Sequence, residues 1–184
     1  MKKLMISFSV LSIFLFMFVL SSCDKQSSAS NDQSSGSNVL GCKISAAKEI
    51  KAGKPLPLQF ELTNNGKKDI YVCRWHTPFE GIRNSIFRVT LNGERIRYSG
   101  RMAKRRTPPP MEHYMLFKAK ESKTAPSFNL AKHYNMSKPG LYTITYSRET
   151  LFDHSYSAED LPRTNGGLQR IPLKCNELKV RVTP

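Results

Sequence analysis

From about residue 55 onward, apolar residues recur at every second position in short runs. "PLPLQFELTNN" sets Leu56, Leu58, Phe60 and Leu62 on one face, the signature of a half-buried strand. Asn64-Asn65-Gly66 then closes it with turn chemistry. "DIYVCRW" predicts a second strand, packing either Ile70 and Val72 or Tyr71, Cys73 and Trp75 inward. "IFRVTLNGERIRY" reads as two strands about Asn92-Gly93, a strong hairpin signal. "EHYMLFKAK" and "KTAPSFNL" flank another turn, with Pro126 marking an edge or bulge. "AKHYNM" suits one helical turn. "KPGLYTITYS" enters through Pro139-Gly140 and sets Leu141, Thr143 and Thr145 against Tyr142, Ile144 and Tyr146. "NELKVRV" supplies the closing strand. About seven to eight short strands at turn-spaced intervals predict an all-β fold, an immunoglobulin-like antiparallel β-sandwich. The Pro-Gly turn before Tyr142 is the setting of a tyrosine corner. One segment breaks the rhythm. Arg148 to Lys174 separates the last two strands, and a loop that long is either functional or a mobile decoration.

The start of the chain follows a different pattern. Lys2 and Lys3 precede an apolar run from Leu4 to about Leu20, and Ser21, Ser22 and Cys23 follow. A basic stretch, an apolar stretch and small residues make a secretory signal, expected over residues 1–22. Leu20-Ser21-Ser22-Cys23 is similar to a bacterial lipoprotein signal. That likeness implies cleavage before Cys23, diacylglycerol on its sulfur and, in many bacteria, a further acyl chain on its amine. Several acyl chains anchor stably where one does not. Residues 23–40 then combine the lipidated Cys with a Ser-rich stretch too polar to bury a core, a disordered tether with a mean reach of about 20–25 Å. The folded domain is expected over 41–184, in a bacterial cell envelope, periplasmic or extracellular, lipid-anchored to a membrane.

The formal net charge is +15, and about +13 once Lys2 and Lys3 leave with the signal. An exported lipoprotein rarely meets nucleic acid, so none is expected as a partner. Acidic protein clefts, anionic lipid and lipopolysaccharide suit the charge better, and a plain solvated surface is the alternative. Cys23 is assigned to lipid, leaving Cys42, Cys73 and Cys175 where disulfides persist. Cys42 and Cys175 precede the first and last candidate strands. In a sandwich whose first and last strands run parallel as neighbours those starts adjoin, so Cys42–Cys175 is the expected bridge and Cys73 a free, buried thiol.

Enzyme signatures are missing from the sequence. It has no His-Glu-x-x-His, no Cys-x-x-Cys, no phosphate-cradling Gly loop and no Gly-x-Ser-x-Gly elbow. Neither a catalytic set, a metal site nor a cofactor is expected. The densest chemistry is "VCRWHTPFEG", which holds the only Trp. Trp75 is either a core residue or an interface anchor, and Thr77, Pro78, Glu80 and Gly81 either turn chemistry or a stiffened contact loop. Arg101, Lys104, Arg105 and Arg106 precede three consecutive prolines, either a docking strip or a solvated loop.

These motifs form an ordered series: Leu62-Thr63-Asn64; Trp75, Thr77, Pro78, Glu80 and Gly81; Phe87, Val89 and Gly93; Tyr98 and Gly100; Lys104-Arg105; Asn129-Leu130 and Tyr134; Pro139-Gly140 and Tyr142. The series resembles the N-terminal, propeptide-type domain of bacterial deuterolysin-like zinc peptidases (aspzincins, including peptidyl-Lys metalloendopeptidases). It departs from that pattern at Asn129, where the family carries an acidic residue. The catalytic domain of that family has no counterpart in this sequence. The resemblance implies a non-catalytic inhibitor or prodomain-like partner of a secreted or periplasmic zinc metalloprotease. On that reading Trp75, His76, Thr77, Pro78, Glu80, Arg101, Lys104, Arg105 and Arg106 are the partner-binding candidates, with the basic strip facing an acidic specificity pocket. The competing reading is a general cell-envelope binding or adhesion module on the same sandwich. The sequence sets no oligomeric state.

Overall fold

A computed structural model of the protein describes residues 39–163 and 167–184. The expected signal, the lipidation site Cys23 and the tether as far as residue 38 lie outside the described residues. Fourteen strand segments are present among them: β1 (Leu40–Ala46), β2 (Glu49–Lys51), β3 (Pro57–Asn64), β4 (Ile70–Cys73), β5 (Phe87–Leu91), β6 (Glu94–Ile96), β7 (Tyr114–Phe117), β8 (Ser122–Thr124), β9 (Phe128–Asn129), β10 (Gly140–Tyr146), β11 (Thr150–Leu151), β12 (His154–Ser155), β13 (Ile171–Pro172) and β14 (Leu178–Thr183). Three single-turn 3-10 helices join them, at Pro78–Glu80, Met111–His113 and Leu130–Lys132.

Alternation drives the pairing. Leu56, just before β3, and Leu58, Phe60 and Leu62 along it are fully buried, and β3 pairs β1 on one side and β8 and β9 on the other. A second sheet runs β2-β14-β10-β5-β6 and contributes Phe87, Val89, Tyr142, Ile144, Val180 and Val182 to the same apolar core. Phe60 meets Tyr146 at 5.3 Å between ring centres, and Phe87 meets Phe128 at 5.7 Å, so aromatic side chains of the two sheets join across the core. This is an all-β, immunoglobulin-like β-sandwich. Among the described residues every strand pairing is antiparallel except β2 with β14, which run parallel. Asn92 and Gly93 both have positive φ, +49° and +92°, as the two-residue β5–β6 hairpin requires. The tyrosine corner is present: the Tyr142 hydroxyl donates to the Lys138 carbonyl at 3.0 Å.

Three features depart from the expected pattern. β1 and β2 precede the first strand read from sequence, and Cys42 lies inside β1 rather than before a strand. The Cys42–Cys175 bridge forms nonetheless, at a Cα separation of 4.6 Å, and Cys73 is free and buried. Beside the bridge, Asn176 Oδ1 accepts the Ile44 N–H at 2.8 Å and its Nδ2 donates to the Ile44 carbonyl at 3.0 Å. The contact joining first sheet to last strand is therefore a side-chain amide and a disulfide, with strand adjacency passed to β2.

The second departure is β4, which is buried on both faces. Ile70 and Val72 enter the main core, while Cys73 and Trp75 form a second cluster with Tyr114, covered by Phe152 and Leu161. Both sequence alternatives for this strand are thus realised, because the 148–174 segment roofs the outer face. That segment is the third departure. Its described residues, 148–163 and 167–174, are folded: β12 pairs β4, β11 pairs β13, and Leu151, Asp153, Ser155, Ile171 and Leu173 are buried.

Candidate functional site

The "WHTPFEG" corner is built by its own polar groups. Thr77 Oγ1 donates to the Arg74 carbonyl at 2.6 Å and accepts the Phe79 N–H at 3.3 Å, capping the 3-10 turn that Pro78 opens. Gly81, at φ +77°, ends the turn. His76 is held at φ +61°, its N–H donating to Glu80 Oε1 at 2.9 Å and its carbonyl accepting from the Tyr146 hydroxyl at 2.8 Å. Arg105 Nη2 donates to Glu80 Oε2 in an ion pair whose side chains are 19% and 6% exposed. The Arg105 guanidinium also stands over the Trp75 ring, 5.4 Å from its centre.

This geometry sorts the sequence candidates. Trp75 is 3% exposed, so it is a core residue that supports the corner and not an exposed anchor. Thr77 and Pro78 are buried and act as turn chemistry. Arg105 is tied to Glu80 and Trp75, whereas Arg101, Lys104 and Arg106 are exposed, with no ion pair among the described residues. Of the strip read as one unit, only these three are free to meet a partner. Burial pushes the Cys73 thiol up to about 12, so Cys73 is a packing group rather than a nucleophile.

What the corner positions is a groove of about 570 Å³ beside it. Its walls come from three distant segments: Glu80–Arg83, Ser99–Ala103 and Lys132–His133. Main-chain bonds hold them together, Ala103 N–H to Arg83 C=O at 2.8 Å and Ser99 N–H to His133 C=O at 2.9 Å. Tyr98 and Tyr134 form a β-bridge beneath, and the Tyr98 ring lies parallel to His133, 8° between planes. A Cβ on Gly100 would stand 2.5 Å from both His133 Nδ1 and the Tyr98 hydroxyl, so only glycine lets these segments close. Asn129 caps the Leu130 turn, its Oδ1 accepting N–H groups of Leu56 at 2.9 Å and Ala131 at 3.1 Å. An amide oxygen thus serves where the resembling family carries a carboxylate.

The groove is basic at its rim. Arg83, Arg101 and Lys132 are exposed there, and Met102, 75% exposed, stands among them. His133 Nδ1 is buried with no hydrogen-bond partner, and burial, then the Lys132 charge, hold its pKa below the usual histidine value. Arg83, Met102, Lys132 and His133 were not singled out by sequence reasoning. The signal nearby was Gly81, Tyr98 and Gly100, whose ordered motifs prove to floor one groove.

No protein-family model matches the chain. Part of it is similar to an extracellular protease of Aeromonas hydrophila, 31% identical over 99 residues. That stretch is 53% of this chain and 28% of the protease, so the chain spans little more than a quarter of its relative. Among solved structures, the CARDB domain of the PF1109 protein from Pyrococcus furiosus, in complex with di-metal ions, aligns with 78% of this chain and 87% of its own, at a TM-score of 0.33 and 14% identity. The sequence likeness therefore joins about half of this chain to part of an extracellular protease. Among the described residues no group of three His, Cys, Asp or Glu is placed to hold a metal ion, and no helix is long and apolar enough to cross a membrane.

Proposed function

We propose that this protein is a membrane-tethered, non-catalytic lipoprotein that binds a secreted or periplasmic zinc metalloprotease and inhibits it in the manner of a propeptide. The observation that carries this reading is the convergence of the family-like motifs at one groove: Glu80-Gly81 and Gly100 line it, and Tyr98 and Tyr134 pair beside it. The likeness to a stretch of an extracellular protease supports it. The rim offers what a Lys- or Arg-preferring cleft selects, exposed basic side chains beside an apolar one, on a support stiffened by the corner. Rigidity of this kind lowers the ordering cost of binding.

The deciding experiment adds soluble protein starting at Asn38 to a purified aspzincin-type peptidase from the same organism. One-to-one inhibition is expected. An Arg101→Glu/Lys104→Glu/Arg106→Glu variant, which spares the structural Arg105, is expected to weaken it about tenfold or more. Inhibition that ignores the triple variant moves the contact away from the 101–106 strip, leaving Arg83 and Lys132 as the basic groups of the groove. Absence of both inhibition and complex favours the envelope-binding module instead.

A further inference from the structure

A second cavity, of about 320 Å³, opens where the 148–174 segment meets the corner. Arg148 and Arg170 line it with His76, Ser147 and Thr150, and Phe152 adds an apolar wall. Glu149 also lines it, but it is exposed and forms no ion pair with either arginine. Three arginines in the described residues have a buried Nε with no hydrogen-bond acceptor: Arg105, Arg148 and Arg163. Arg105 faces Glu80, and Arg163 faces Asp153 at 3.4 Å. Arg148 faces no carboxylate within 4.0 Å. A guanidinium cannot shed its charge, so a half-buried one without a counter-ion is costly.

Its position is fixed by the fold. On one side Ser147 N–H donates to the Ile86 carbonyl at 2.9 Å; on the other Glu149 C=O accepts the Leu173 N–H at 2.8 Å. The main chain therefore holds Arg148 at this cavity with Arg170 across from the same space. We propose that the cavity binds a single oxyanion group, a carboxylate or a phosphate, between the guanidinium groups of Arg148 and Arg170. The ligand supplies the counter-charge that Glu80 and Asp153 supply to the other two arginines. Planar guanidinium groups suit such oxygens because they donate two parallel hydrogen bonds.

His76 is a built-in reporter. Burial, and next the Arg148 charge, hold its pKa below the usual value. An anion beside Arg148 offsets that charge and raises it. The test titrates the full chain with inorganic phosphate and, separately, with N-acetylglutamate, following the His76 ring resonances. Saturable binding is expected for at least one probe, with an upward shift of the His76 titration. Arg148→Met and Arg170→Met are each expected to weaken it about tenfold, the worth of one charge-assisted bond, while Arg88→Met on β5 leaves it unchanged. Binding of phosphate alone identifies a phosphate group as the ligand; binding of N-acetylglutamate identifies a carboxylate. Binding of neither probe, or binding that both cavity variants leave intact, overturns the proposal. If Arg148→Met does not fold, the exposed Arg170→Met still decides.

Discussion

Arg105 shows how one side chain changes meaning between sequence and structure. In the sequence it is the middle of a basic strip; in the fold it neutralises a nearly buried carboxylate and covers the only Trp. Removing it leaves the Glu80 charge without a counter-ion, which is why breaking such a pair costs more than the pair itself contributes. Arg105→Ala is expected to destabilise the protein by about 3 kcal/mol in chemical denaturation. Adding Glu80→Gln recovers part of that loss, because no orphan charge remains. Arg106→Ala, one residue on and exposed, is expected to stay within about 0.5 kcal/mol of the parent. Nothing in "KRRTPPP" distinguishes Arg105 from its neighbours. The difference comes from the 3-10 turn at Pro78–Glu80, twenty-five residues earlier, which aims Glu80 at one position of the strip.

At the scale of elements, legibility followed clean alternation: β1 has seven residues, but its buried side chains are only Leu40 and Ile44, four apart, and it was not readable. β3, β10 and the β5–β6 hairpin were readable because alternation over five to eight residues fixes a face, and Asn92-Gly93 fixes a turn. β11, β12 and β13 have two residues each, too short for any period, and exist only through their partners. Their anchor is Asp153, 0% exposed. Its carboxylate accepts from the Tyr114 hydroxyl at 2.5 Å and the Gln169 N–H at 2.6 Å, and it faces Arg163. The segment read as either functional or mobile is therefore a roof with one polar nail. Asp153→Asn keeps the volume and removes the charge. It is expected to cost about 3 kcal/mol and to speed amide exchange over 154–163 while β3 stays protected, as hydrogen-exchange mass spectrometry would show. The groove was harder to read than the roof. Its three walls are separated by tens of residues, and the close approach that joins them at Gly100 has no one-dimensional pattern.

For the whole molecule, two half-buried histidines tie stability to pH. His76 and His133 both have pKa values lowered mainly by burial, from an ordinary value of 6.5. Below that value the unfolded chain takes up protons that the folded one refuses. Their contribution is thus fully present above about pH 6.5 and is lost as pH falls through the folded values. The melting temperature is expected to drop between about pH 7.5 and pH 5, and less steeply in His133→Gln, when both proteins are melted across that range.

The Cys42–Cys175 bridge has a mechanical corollary. It joins positions 133 residues apart, close to the first and last described residues. A pull applied at Val39 and Pro184 enters the bridge after three residues on one side and nine on the other. Tension can peel β14 from β10, but beyond Cys175 it runs through sulfur, and the chain between the two cysteines bears no load. Reduction would add some 450 Å of extensible chain, at about 3.4 Å per residue. The groove, the roof and the second cavity all lie inside that shielded loop, so the bridge keeps their shape under force.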